Sequence, residues 1–220
     1  MRRRAAAEFE HVAGETDTLK HVIESLGVPH TEIGRVDVNG KSASLSDRST
    51  PGSSVDVFPH KTPLKVADPR FVVDGHLGRL AAYLRMLGFD TWYERTADDA
   101  VLAAIASAEK RLLLTRDLGL LKRKEVEQGY CVRSDKPLEQ LREVTCRFAL
   151  HSHSTPFSRC MECNGLLDSV SKEEVADLLP PHTRETKNEF SRCRDCGKIF
   201  WRGSHHARML GWIGELKNCA

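Results

Sequence analysis

The chain lacks any apolar run long enough to cross a membrane, which excludes a helical span. Its start, MRRRAAAEFEH, carries basic residues but no continuous apolar stretch behind them. A secretory signal is therefore not expected, and the cytoplasm is the default location. An excess of one charge is missing too: 33 Lys and Arg stand against 31 Asp and Glu, a net charge of +2. No polybasic surface announces a nucleic-acid partner, although local basic patches remain open. Without an export signal, the seven cysteines are not expected to form a disulfide framework. The apolar (40%) and charged (29%) fractions are those of a soluble globular protein. A length of 220 residues allows one or two domains, plus a third small module if a metal holds it together.

Four of the cysteines form two Cys-x-x-Cys pairs, Cys160–Cys163 and Cys193–Cys196, twenty-nine residues apart. Each such turn places two thiolates on a tetrahedral metal, and four thiolates close the site with no open position. The pattern predicts a structural zinc ion that the surrounding segment needs in order to fold. A redox pair would need only one Cys-x-x-Cys. Asn164-Gly165 and Gly197 follow the pairs, as tight knuckle turns require. Of the remaining cysteines, Cys131 reads as a small buried hydrophobe in a strand; Cys146 stands alone, and no role is expected for Cys219.

Three segments are legible. From the start to about residue 63, helical spacing of Leu19, Val22, Ile23 and Leu26 predicts a helix capped by Asp17 or Thr16 and stopped by Gly27. Strands at 35–38 and 41–45 flank a tight Asn39-Gly40 turn, and 54–58 is a further strand. A linker at 60–69 contains Pro63 and Pro69 and few consecutive apolar residues. Beyond it, strands (70–73, 90–93, 111–115, 130–133) alternate with helices (77–87, and 97–109 capped by Thr96), which predicts a parallel sheet wrapped by helices. From His151 the order dissolves into turns around the cysteines.

The acids fall at informative places. Asp74, Asp117 and Asp135 each follow the carboxyl end of an expected strand, and Asp98 and Asp99 open the second helix. Ligands of open α/β sheets bind at that edge. Carboxylates gathered there would repel one another without cations between them, and an oxygen-rich, histidine-poor set suits Mg²⁺ or Mn²⁺. Each acid also has a plainer reading: Asp98 and Asp99 suit a helix N-terminus, and Asp135 before Lys136-Pro137 suits a turn. Arg116 and Arg79 are candidates for holding phosphate, Arg79 being equally readable as a solvated helix-face charge. From Lys187 to Arg208 six basic residues, Lys198 and Arg202 among them, are interleaved with Phe190, Phe200 and Trp201. That mixture can grip a single strand by phosphate contact and stacking, or the aromatics can simply be the core of a zinc ribbon.

The stretches FVVDGHLGRLAAYLRMLGFDT, ADD, RLLLTRD and SD…EQLREV, then the paired cysteines and CGKIFWRGSHHARM, resemble the Mut-seven C-terminal RNase domain family, a PIN-like group. The likeness covers about residues 70 to 213. GVPHTEIGRVDVNGK and SSVDVFP resemble ubiquitin-like β-grasp domains, which also precede the RNase domain in that family. Only about sixteen residues precede the first helix, where a β-grasp has a two-stranded hairpin, and no Gly-Gly is present for sulfur carriage. The resemblance implies an α/β architecture: a β-grasp domain (1–63), a PIN-like domain (70–150) and a zinc-ribbon module (151–220). It implies a metal-dependent endoribonuclease with Asp74, Asp99, Asp117 and Asp135 as the acidic site on Mg²⁺ or Mn²⁺. RNA as the partner, expected single-stranded, rests on the resemblance alone. His76, in the turn after Asp74, is unusual there and reads as an exposed loop residue. A catalytically weak RNA- or protein-binding adaptor and a DNA-directed nuclease or phosphatase-like hydrolase are the alternatives. A protein partner for the first domain and a homodimer are both left open.

Overall fold

The computed structural model describes residues 8–14 and 16–216, so Cys219 lies outside the described residues. The chain separates into two compact units, 1–60 and 61–220.

In the first unit, helix α1 (Leu19–Ser25) precedes strands β1 (Ile33–Val38), β2 (Lys41–Ala43) and β3 (Val55–Pro59), an antiparallel sheet in the order β2-β1-β3. The helix cap is Thr18, whose hydroxyl accepts from the His21 N–H, rather than Asp17 or Thr16. Asn39 (φ 49°) and Gly40 (φ 75°) both take left-handed conformations, the pair that matches a two-residue hairpin to strand twist. Leu19, Ile23, Ile33 and Val36 form the core. Residues 8–14 contain no strand, so among the described residues no hairpin precedes α1.

The second unit is built on a four-stranded parallel sheet: β4 (Phe71–Val73), β5 (Thr91–Tyr93), β6 (Leu112–Thr115) and β7 (Gly129–Cys131), in the order β5-β4-β6-β7. Helices α2 (Gly78–Met86), α3 (Asp99–Ala108), α4 (Leu118–Leu121) and α5 (Pro137–Phe148) connect or follow the strands. Strand side chains alternate between the faces. Phe71, Val73, Leu112, Leu114 and Tyr130 pack with Leu80, Leu84, Leu141 and Phe148 of α2 and α5. Val72 and Leu113 pack on the other face with Leu102, Ala106, Leu120 and Leu121 of α3 and α4. Cys131 is half-buried against that second cluster rather than fully inside.

Three expectations change. Asp98, not Thr96, caps α3, its carboxylate accepting from the Val101 N–H at 2.9 Å. The 61–69 segment is tied down: the Leu64 N–H donates to Arg147 O at 2.8 Å, and Leu64 and Val66 pack on the sheet's core. The region after His151 is ordered rather than a set of turns. Strands β8 (Leu167–Val170), β9 (Phe190–Cys193) and β10 (Ile199–Trp201) make an antiparallel sheet, with α6 (Lys172–Val175) and α7 (Pro181–Thr186) between β8 and β9, while α8 (Ser204–Glu215) follows β10 and packs Met209 and Ile213 on the parallel sheet's core. The antiparallel sheet's short strands gave little periodicity to read, and Val175, Leu179 and Phe190 suffice as its core. No described helix is long and apolar enough to cross a membrane.

Candidate functional site

Because all four strands of the 61–220 sheet run the same way, their carboxyl ends share one edge. From β4 the chain passes through α2 to β5 on one side; from β6 it passes through α4 to β7 on the other. The β4–β6 boundary is thus where the winding reverses, the position at which open α/β sheets bind ligands. Asp74 directly follows β4, and Asp117 follows β6 by two residues.

One side chain ties these two acids together. Thr115, fully buried at the end of β6, donates its hydroxyl proton to Asp74 Oδ2 at 2.6 Å and accepts the Asp117 N–H at 2.9 Å. Sequence reasoning passed over Thr115; its one signal is a polar residue closing the apolar run LLLT. Asp74 Oδ1 accepts the N–H of His76, whose side chain is exposed, and Asp117 Oδ1 accepts the Gly119 N–H at 2.6 Å. The turn after Asp74 is closely fitted. A Cβ on Gly75 would collide with Arg95 O, and one on Gly78 would meet Tyr93 Oη at 2.5 Å. The Tyr93 hydroxyl donates to Gly75 O at 3.0 Å.

The other two acids sit differently. Asp99 is exposed in the first turn of α3, next to the capping Asp98. Asp135 lies in the loop before α5 and pairs with Arg116, Nη2 to Oδ1 2.6 Å. Arg79 is exposed on α2. The acids do not form a closed cage of oxygens. Among the described residues, the four cysteines are the only group of three or more His, Cys, Asp or Glu side chains whose ligand atoms all lie within 4.8 Å.

That cysteine cluster is built from two knuckles of the same design. Asn164 N–H donates to Cys160 O and Gly197 N–H to Cys193 O; Cys160 N–H donates to Gly165 O and Cys193 N–H to Lys198 O. Asn164 (φ 76°) and Gly197 (φ 71°) supply the left-handed residues. Cys160 Sγ lies 3.7 Å from Cys196 Sγ, and Cys163 Sγ 3.4 Å from Cys193 Sγ. A tetrahedron with zinc–sulfur bonds of about 2.3 Å has edges of roughly 3.8 Å, so the cluster can hold a zinc ion. Burial pushes the Cys163 thiol up to about 12. Burial acts upward on Cys193 too, yet the Cys196 and Asp195 N–H groups and the neighbouring thiols bring it down to about 7.

The basic and aromatic residues of the ribbon are only partly gathered. Phe190 is buried in its core, Phe200 is half-buried and Trp201 is exposed. Lys198 bonds Glu162 at 2.5 Å, Arg202 pairs with Glu189 at 3.0 Å, and Arg194 is bidentate to Asp168. The aromatics are thus divided between core and surface.

The Mut7-C RNAse domain model matches residues 69–213, about two thirds of the chain. The chain belongs to the Mut7-C RNAse domain family. The Mut7-C ubiquitin model matches residues 1–65 ahead of it, where α1 packs on the antiparallel sheet. No curated protein and no solved structure matches the chain. The acidic sheet edge and the cysteine knuckles both fall within the residues that the Mut7-C RNAse domain model matches.

Proposed function

We propose that the protein is a metal-dependent ribonuclease whose acidic site comprises Asp74, Asp99, Asp117 and Asp135. The observation that carries this reading is Thr115 joining Asp74 and Asp117 at the sheet's switch point, within a Mut7-C RNAse domain. The donor set suits Mg²⁺ or Mn²⁺: Mg²⁺ takes one or two carboxylates directly and keeps several waters, so a closed cage is unnecessary. A bound ion there would supply positive charge that acidifies a water and neutralises phosphate. Asp74 and Asp117 hold it directly, their orientation set by Thr115 and by the His76 and Gly119 N–H groups. Asp99 and Asp135 serve it directly or through water. Arg116 neutralises Asp135 at rest and can exchange that carboxylate for a backbone phosphate, which its planar fork binds well. Arg79, Lys198 and Arg202 are further phosphate contacts for single-stranded RNA, and the four cysteines carry a structural zinc. Cytoplasmic residence and a protein partner for the ubiquitin-like unit belong to the same reading.

A second reading, a catalytically weak RNA- or protein-binding adaptor, is favoured by the open arrangement of the acids and the Arg116–Asp135 pair. Cleavage of labelled single-stranded RNA separates the two. Activity dependent on Mg²⁺ or Mn²⁺ is expected in the native protein and lost in Asp74→Asn and Asp117→Asn, both folded and zinc-loaded. Native protein that binds RNA but cuts none, with both variants binding equally, leaves the adaptor.

A further inference from the structure

On the edge strand β5, the outward backbone groups of Thr91 are satisfied by Asn164 of the cysteine knuckle and by Arg85 of α2. Asp90 O accepts the Phe71 N–H from β4, so in the alternation of a parallel ladder Thr91 turns its N–H and C=O away from β4. An edge strand ordinarily presents such groups to water. Thr91 is fully buried instead. Its N–H donates to Asn164 Oδ1 at 2.9 Å, and its C=O accepts Arg85 Nε at 2.9 Å. Both partners belong to the knuckle's surroundings. Asn164 immediately follows the ligand Cys163 and also donates from Nδ2 to Asp90 Oδ1 at 2.9 Å. Arg85, 4% exposed, directs Nη1 at Glu162 O (2.6 Å) and Met161 O (3.3 Å), the two residues between the first cysteine pair.

Charge points the same way. A zinc ion on four thiolates keeps a net charge of about −2, which a buried guanidinium hydrogen-bonded to the knuckle carbonyls complements. At its other end β5 reaches the acidic edge within three residues, where Tyr93 Oη holds Gly75 O in the turn after Asp74.

We infer that the zinc knuckle stands in for a missing neighbour strand, clamping β5 through Asn164 and Arg85 and so setting the turn that carries Asp74. The clamp stands on the contacts alone; its consequence for catalysis rests on the acidic-site reading above. Arg85 and Asn164 are positioning residues, with no role in the chemistry itself.

The test uses the full, zinc-loaded chain and reads hydrogen exchange over residues 88–97 and 74–78, with zinc release to a chromogenic chelator. Asn164→Gly keeps the left-handed turn and all four thiolates but removes the clamp. It should retain zinc while exchange in both segments rises about tenfold or more. Arg85→Met keeps much of the side-chain volume and should release zinc about ten times faster or more. Unchanged exchange in Asn164→Gly overturns the clamp, as does native zinc release from Arg85→Met. If Arg85→Met does not fold, Asn164→Gly decides alone. RNA cleavage is not the readout, so a protein that cuts no RNA but shows these exchange changes refutes only the nuclease reading.

Discussion

Replacing Thr115 by valine keeps the shape of a fully buried side chain and removes one hydroxyl. A threonine hydroxyl has a single proton, and here it goes to Asp74 Oδ2 at 2.6 Å, so the 2.9 Å contact from Asp117 N–H must be accepted. Both are lost in Thr115→Val. A hydrogen bond to a carboxylate contributes about 1.5–3 kcal/mol and a neutral one about 0.5–1.5. Water reaching the exposed Asp117 recovers part of the second, so the expected cost is about 3 kcal/mol. Trp92, Trp201 and Trp212 all lie beyond residue 60, so denaturant unfolding followed by tryptophan fluorescence reports this unit alone. In the same variant the loosened Asp74 should bind Mn²⁺ about 10- to 100-fold more weakly, the usual effect of removing a residue that orients a metal ligand. Thr115→Ser should restore most of both quantities. A Thr115→Val protein within about 0.5 kcal/mol of native, with unaltered Mn²⁺ affinity, would refute the argument that this hydroxyl organises the site.

Three further outcomes are expected. Burial raises the Asp90 carboxyl, but hydrogen bonds from Arg111 and Asn164 and the Arg111 and Arg159 charges outweigh it and hold it below its ordinary value. The resulting stability is complete above about pH 4 and lost as pH falls through the lowered value. Asp90→Asn should flatten that acid limb and cost about 2 kcal/mol at neutral pH by weakening the charge-assisted bond from Arg111, which keeps Glu109 as its ion-pair partner, both read from denaturation curves. Burial and the neighbouring Glu143 push Tyr130 up to about 12. Its stability is therefore present below about pH 10 and lost as pH climbs towards 12, a slope that Tyr130→Phe should abolish. Absorbance near 295 nm should place the same ionisation. Finally, Cys160→Ser removes the deepest thiolate, and metal analysis should find zinc falling from about one per chain to a small fraction of that.

Local chemistry made much of this protein legible. Strand–helix alternation and apolar runs such as FVV and LLLT announce the parallel sheet, because strands covered on both faces must be apolar throughout. Two Cys-x-x-Cys turns announce the cluster, because the turn itself brings each pair of thiols together. Asn39-Gly40 announces its hairpin through backbone sterics alone. The RNAse and ubiquitin-like families were recognisable from motifs in order along the chain.

What lay outside the reach of sequence depends on contacts between distant residues. The strand order β5-β4-β6-β7, which sets Asp74 and Asp117 on neighbouring strands, is settled by packing on two faces. Thr115 looked like the end of an apolar strand until its hydroxyl met a carboxylate 41 residues away. Arg85 lies within a helix, and nothing beside it along the chain shows that it is buried against carbonyls 76 and 77 residues on. The individual strands and helices of the ribbon after His151 could not be placed from periodicity, because short strands closed around a small core carry little of it. Sequence by itself determined which local elements form and which ligand types are present, since those follow from neighbours along the chain. Only the tertiary structure decided which acids share a hydroxyl and which buried charge faces the thiols, because hydrogen bonding and burial act across space.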